Sequence, residues 1–152
     1  MTTTLIAVAP PPPPRPGRSR HRLLLACGLV AGPLFVAAFA LHGAFREGYD
    51  PLRHPVSSLA FGPWGWVQVA NFIVSGLLTL AFAVGLRRAS GLWLGPLLVA
   101  VWGVGLIGAG AFITDPVSGY PPGTPPIAAE PTWHGFLHAA DDLAARDQPL
   151  LT

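Results

Sequence analysis

His134 and His138 stand four residues apart. On a helix that spacing puts both rings on one face, where two imidazole nitrogens suit a single metal ion. His54 and Asp115 belong to other segments that the charge pattern places on the same side of a membrane. Nitrogen and oxygen ligands of this kind hold zinc with a position open for water, the arrangement of metal-dependent hydrolases. Ser57 and Ser58 follow His54 closely and are the weak catalytic candidates, positioned to orient that water or a substrate. A plainer reading stands beside this one. The histidines would then sit at the bilayer surface and bond loop carbonyls, or titrate near neutrality as a pH-sensing or proton-coupled pair. Asp115 before Pro116 would close an Asx-type turn. Arg53 would pair with Asp50 or lipid phosphate, and Tyr120 and Trp133 would anchor a loop at the interface. The stiff Pro-Pro-Gly-Thr-Pro-Pro run would shape a lid.

A second polar set has helical spacing. Asn71, Ser75 and Thr79 recur every four residues, and Gln68 precedes Asn71 by three. They make one polar stripe down one helix face. Polar groups in hydrocarbon need partners, so the stripe must face other helices. Its chemistry is either interhelical hydrogen bonding or a polar path for a solute.

The elements that position these residues follow from charge and hydropathy. Hydrophobic residues make up 51% of the 152-residue chain and charged residues only 11%, where about 25% charged is usual for soluble domains. Mean hydropathy is +0.51. The charge-free stretches are each long enough to cross about 30 Å of hydrocarbon. They place spans near Leu23–Leu41, Trp66–Leu86 and Leu92–Ile113. A soluble bundle would need helices with a polar face, and these spans are apolar nearly all round. The reading is therefore an all-α transmembrane helical bundle with three clear spans, and a possible stub of a fourth around His134.

All nine basic residues are arginines. Arg15, Arg18, Arg20 and Arg22 precede the first span, and Arg87 and Arg88 follow the second. The segment from Asp115 to Trp133 has none. That asymmetry predicts a multi-pass protein of the cell membrane with a cytoplasmic N-terminus and two loops outside. It also removes nucleic acid as a partner, because the arginines flank apolar runs instead of interleaving with aromatics. Trp64, Trp66 and Trp93 sit at span ends, as interfacial aromatics do. Ala38-Phe39-Ala40 after an apolar run also resembles a signal-peptide cleavage site, although the run is long for one. The single Cys27 excludes an internal disulfide and reads as a small core residue.

The domain plan is a disordered Pro/Arg-rich cytoplasmic tail over residues 1–22, a membrane helical domain over 23–138, and a polar tail over 139–152. Within the spans, Gly28-x-x-x-Gly32 and Gly91-x-x-x-Gly95 would let backbones approach closely. Gly103, Gly105, Gly108 and Gly110 thin the third span. Pro33 and Pro96 would kink their helices. Through the Gly-rich faces the chain could also meet a second copy or a membrane partner, besides the lipid bilayer itself.

Three pieces in order carry a family resemblance. They are His54-Pro55-Val56-Ser57-Ser58-Leu59 with Gly62-Pro63-Trp64-Gly65-Trp66, Thr114-Asp115-Pro116 with Tyr120-Pro121-Pro122-Gly123-Thr124-Pro125, and His134-Gly135-Phe136-Leu137-His138. From about Leu23 to His138 the chain resembles the bacterial and archaeal membrane proteins of domain-of-unknown-function family 998. The resemblance implies an integral membrane bundle, usually longer, with no established activity. In the family the His-Gly-x-x-His pair leads into a further helix, whereas Ala139–Thr152 is polar. That departure reads as a truncated or frameshifted member. The His, Asp and Ser set also loosely resembles the alkaline-ceramidase-like membrane hydrolases, as a constellation only. Three classes follow: an uncharacterised membrane protein with a structured outer-face pocket, a zinc hydrolase, and a small transporter or sensor subunit. No phosphate-cradling loop, redox cysteine pair or nucleophile–base motif narrows them.

Overall fold

A computed structural model of the chain describes residues 17–125 and 132–135. Three long helices dominate it: α1 (Gly17–Ala44), α2 (Gly65–Ser90) and α3 (Leu94–Ala111). A short 3₁₀ turn, Val56–Ala60, interrupts the α1–α2 connection. Stretches of 25, 26 and 18 residues in these helices are long and apolar enough to cross a bilayer. The fold is an all-α membrane bundle. Leu29, Val36, Leu77, Leu98, Val101 and Trp102 stand exposed, as they must where lipid is the solvent.

α2 is the middle helix and packs against both others. Its pairing with α1 is antiparallel. Phe72 meets Phe35, with ring centroids 5.4 Å apart, and a Cβ on Gly28 would lie 2.5 Å from the Phe82 ring. A Cβ on Gly85 would lie 2.9 Å from Leu24. α3 runs antiparallel on the other side. A Cβ on Gly76 would lie 2.7 Å from the Gly103 carbonyl oxygen, and one on Gly110 would lie 3.1 Å from that of Val69. Without an apolar driving force between helices in lipid, such close backbone approach supplies the dispersion contacts that hold them.

The polar stripe sits in these contacts. Gln68, Asn71 and Ser75 are buried. Asn71 Nδ2 donates to the Phe35 carbonyl of α1 at 3.2 Å and to Gln68 Oε1 at 3.5 Å. Ser75 Oγ donates to Asn71 Oδ1 at 3.4 Å, and Thr79 Oγ1 to the Ser75 carbonyl at 2.8 Å. Interhelical and intrahelical bonding thus accounts for most of the stripe.

Several expected features fall differently. α1 begins at Gly17, inside the segment read as tail. Arginine is a good helix former, and its long side chain reaches water from a helix that continues past the hydrocarbon. Residues 1–16 and 136–152, with His138 and both outer tail regions, lie outside the described residues. Gly91 and Gly95 do not form a packing motif. Gly91 caps α2 in the left-handed region at φ 69°, its N–H on the Arg87 carbonyl, which is the usual glycine terminator. Gly95 meets nothing within 4 Å. Pro96 lies in the first turn of α3, where the backbone N–H has no intrahelical acceptor, so it costs no intrahelical bond. α1 continues through Pro33. Ala38-Phe39-Ala40 is helical, in a segment packed on α2.

Candidate functional site: a cap over one end of the bundle

The α1–α2 connection (residues 45–64, the first connection) and the segment that follows α3 (residues 112–125 and 132–135, the second connection) meet at the end of the bundle where α1 stops and α2 starts. Arg46, two residues past α1, joins them. Its Nε donates to the Tyr120 hydroxyl at 3.2 Å, and its Nη2 donates to the Phe61 carbonyl. One guanidinium fork thus holds the first connection to itself and to the second. Tyr120 is 2% exposed. It packs edge-on against Tyr49, centroids 5.7 Å apart, and against His54 at 5.2 Å. Tyr120 is therefore the core of the cap and not the interfacial anchor expected of it. Trp133, of which the same was expected, is 63% exposed and lies against Phe112 and His134.

Tight turns carry these side chains. Ser118 and Gly119 take positive φ, 59° and 78°, between Val117 and Tyr120, whose N–H returns to the Val117 carbonyl at 3.1 Å. That is a type I′ turn, and it aims Tyr120 inward. Asp50 Oδ1 accepts the Leu52 N–H at 2.9 Å. Asp50 thus closes an Asx turn that was not expected of it, and it spends that oxygen on the backbone.

His54 is oriented by the same turn. The Asp50 N–H donates to His54 Nδ1 at 2.9 Å. Nδ1 is thus the acceptor, and the ring proton belongs on Nε2. Tyr49 donates to the His54 carbonyl at 3.4 Å. Burial, and then the neighbouring Tyr120 and Asp50, push the Tyr49 phenol above its ordinary range, so it stays protonated and keeps donating. Beside this cluster lies an open hollow of about 720 Å³, lined by Gly48, Arg53, His54, Ser118, Gly119 and Pro122.

Asp115 and His134 occupy another part of the second connection. Asp115 Oδ2 accepts the Thr132 N–H, and Oδ1 the Thr132 hydroxyl, both at 2.7 Å. Thr132 Oγ1 in turn accepts the Gly135 N–H at 3.1 Å, an N-cap for the turn that carries His134. A Cβ on Gly135 would collide with the Asp115 carboxylate. Both oxygens of Asp115 are thus committed to a cap and not to an Asx turn. Among the described residues, no three of His, Cys, Asp and Glu come together to hold a metal ion. His54 keeps company with Tyr49 and Tyr120, and His134 with Phe112, Trp133 and the Asp115 cap. His138 lies outside the described residues.

Ser57 and Ser58 are buried in the 3₁₀ turn. Ser58 Oγ, Gln68 Nε2 and both ring nitrogens of His42 are buried without a hydrogen-bond partner. They come from the 3₁₀ turn and the adjoining ends of α2 and α1, three elements that pack on one another.

Sequence reasoning missed Arg46, Tyr49 and Thr132 as organisers. One signal was available. Arg46 lies on the side that the arginine asymmetry leaves poor in cations, and a cation there needs a specific partner.

These features define a class: a multi-pass α-helical membrane protein with an ordered cap of loops at one end. The chain matches, over residues 29–143, the model of a family described as "Protein of unknown function (DUF998)". That is well over half its length, and the chain belongs to this family. No curated protein and no solved structure matches it.

Proposed function

We propose that the protein is a membrane-anchored binding module of the cell membrane, N-terminus cytoplasmic, whose cap takes up a small anion bearing phosphate or carboxylate oxygens. The observation that carries this reading is the donor character of the hollow. Arg53 offers a guanidinium, His54 an Nε2–H and Ser118 a hydroxyl around one opening. No carboxylate lines it. Arginine with added neutral donors is the combination that recognises planar or tetrahedral oxyanions. The Arg46 tie holds the walls in place before a ligand arrives, which lowers the ordering cost of binding.

The test is calorimetry on detergent-purified full chain with inorganic phosphate and with acetate, against chloride at equal ionic strength. One of the two oxyanions should bind where chloride does not. Arg53→Gln should weaken it at least about tenfold, roughly 1.4 kcal/mol. Equal response to chloride, or full affinity in Arg53→Gln, would overturn the reading. Labelling of a Ser118→Cys variant from outside intact cells should succeed if the cap faces out.

A second reading, a polar path through the bundle, draws on the unpartnered groups of His42, Ser58 and Gln68. Left dry, each would cost about 1–3 kcal/mol. If water or a polar solute satisfies them, Gln68→Met lowers the melting temperature or leaves it unchanged. A rise of several degrees would mean the site is dry and would remove this reading.

A further inference from the structure

At the opposite end of the bundle, where α2 ends and α3 begins, lies a groove of about 320 Å³. Leu80 and Ala83 of α2 and Pro96 and Ala100 of α3 wall it with carbon, and Arg87 and Arg88 stand at its rim. Residues 80, 83 and 87 recur at helical spacing, so the apolar wall and the cationic rim lie on one helix face. Both arginines are exposed. Arg87 Nη1 donates to the Gly91 carbonyl at 2.6 Å, which holds it over the α2–α3 turn.

Among the described residues, the charge at this end of the bundle is of one sign. Leu24 packs against Gly85, so the start of α1 lies at this same end and brings Arg20 and Arg22 with it. The described acidic residues, Glu47, Asp50 and Asp115, all belong to the connections at the other end. Four arginines, two of them at the groove, therefore lie toward this end of the bundle, and no described carboxylate does. An apolar slot that opens into hydrocarbon, with guanidinium groups where the hydrocarbon stops, matches one kind of molecule in both halves. That molecule has an apolar chain and an anionic head.

We propose that this groove is a binding site for an anionic phospholipid, with one acyl chain between α2 and α3 and the phosphate on Arg88 and Arg87. Guanidinium groups bind phosphate through parallel N–H donors, and basic pockets between membrane helices suit such headgroups. The acyl chain fills the slot that α2 and α3 leave where Ala83 and Ala100 are too small to close it.

The experiment compares phosphatidylglycerol with phosphatidylcholine of identical chains, added to full-length protein in neutral detergent. Native mass spectrometry reads retained lipid, and thermal unfolding reads stabilisation. Phosphatidylglycerol should be retained at least about fivefold more and should raise the melting temperature by several degrees over phosphatidylcholine. Arg88→Gln should remove most of that preference, and Ala100→Phe should displace both lipids by filling the slot. Equal retention of the two lipids by the unaltered protein would overturn the proposal, and that comparison depends on no variant folding. A preference that survives in Arg88→Gln with Arg87→Gln would also overturn it. So would full competition by inorganic phosphate, which would mark a site for the free anion.

Discussion

Replacing Arg46 by alanine should cost about 2–4 kcal/mol and loosen the cap while leaving the bundle assembled. The guanidinium makes two bonds, to the Tyr120 hydroxyl and the Phe61 carbonyl. Hydrogen bonds to a charged group contribute roughly 1.5–3 kcal/mol each when buried, less where water can substitute. The larger loss is positional. Tyr120 is the only strongly buried side chain of the second connection's turn, and its hydroxyl bond to Arg46 fixes it against Tyr49 and His54. Hydrogen exchange should therefore accelerate over residues 49–61 and 117–124 together, though they are far apart in sequence, while the α2–α3 contact keeps its protection. Arg46→Lys should rescue little, because an ammonium cannot place two donors in a fixed fork. Unchanged exchange in Arg46→Ala would show that packing alone holds the cap.

The spans were legible because lipid leaves a coarse signature, about twenty residues without charge. All three appear where that signature lies. Their ends were less legible, because local chemistry sets them. Gly91 stops α2 through a backbone conformation, and Pro96 falls in the first turn of α3, where its missing N–H costs no bond. Helix partners were not legible. In Gly28-x-x-x-Gly32 only Gly28 meets a neighbour, and Gly32 faces open space. The same pattern would fit either glycine, and only the register with Phe82 decides. The cap shows the limit most sharply. Arg46 reaches a hydroxyl 74 residues away, and no local spacing announces such a bond. Asp115 did read as a residue that organises backbone, but its partner Thr132 is 17 residues on, not within its own turn.

Gly76→Val should cost about 3 kcal/mol or more and separate α3 from α2. A Cβ at this position would stand 2.7 Å from the Gly103 carbonyl oxygen and 2.7 Å from Ile107 Cγ1. The first of these is backbone and cannot rotate aside. The helices must move apart, and overpacking of this kind costs about 1–3 kcal/mol even before contacts are lost. Here contacts would be lost along the whole crossing, since Gly103 sits against Leu80 and Gly110 against Ile73 and Phe72. In lipid no gain from water release offsets that separation. The control is Gly105→Ala, on the facing helix α3 but with nothing within 4 Å of the added carbon. It should be neutral, or stabilising by up to about 1 kcal/mol, because alanine is the better helix former. Thermal unfolding of both variants in one detergent separates two accounts of a glycine-rich span. If Gly76→Val and Gly105→Ala behave alike, the glycines serve backbone freedom throughout the span. If only Gly76→Val collapses, α3 is held by a single close crossing, and the remaining glycines of the helix are free for other surfaces.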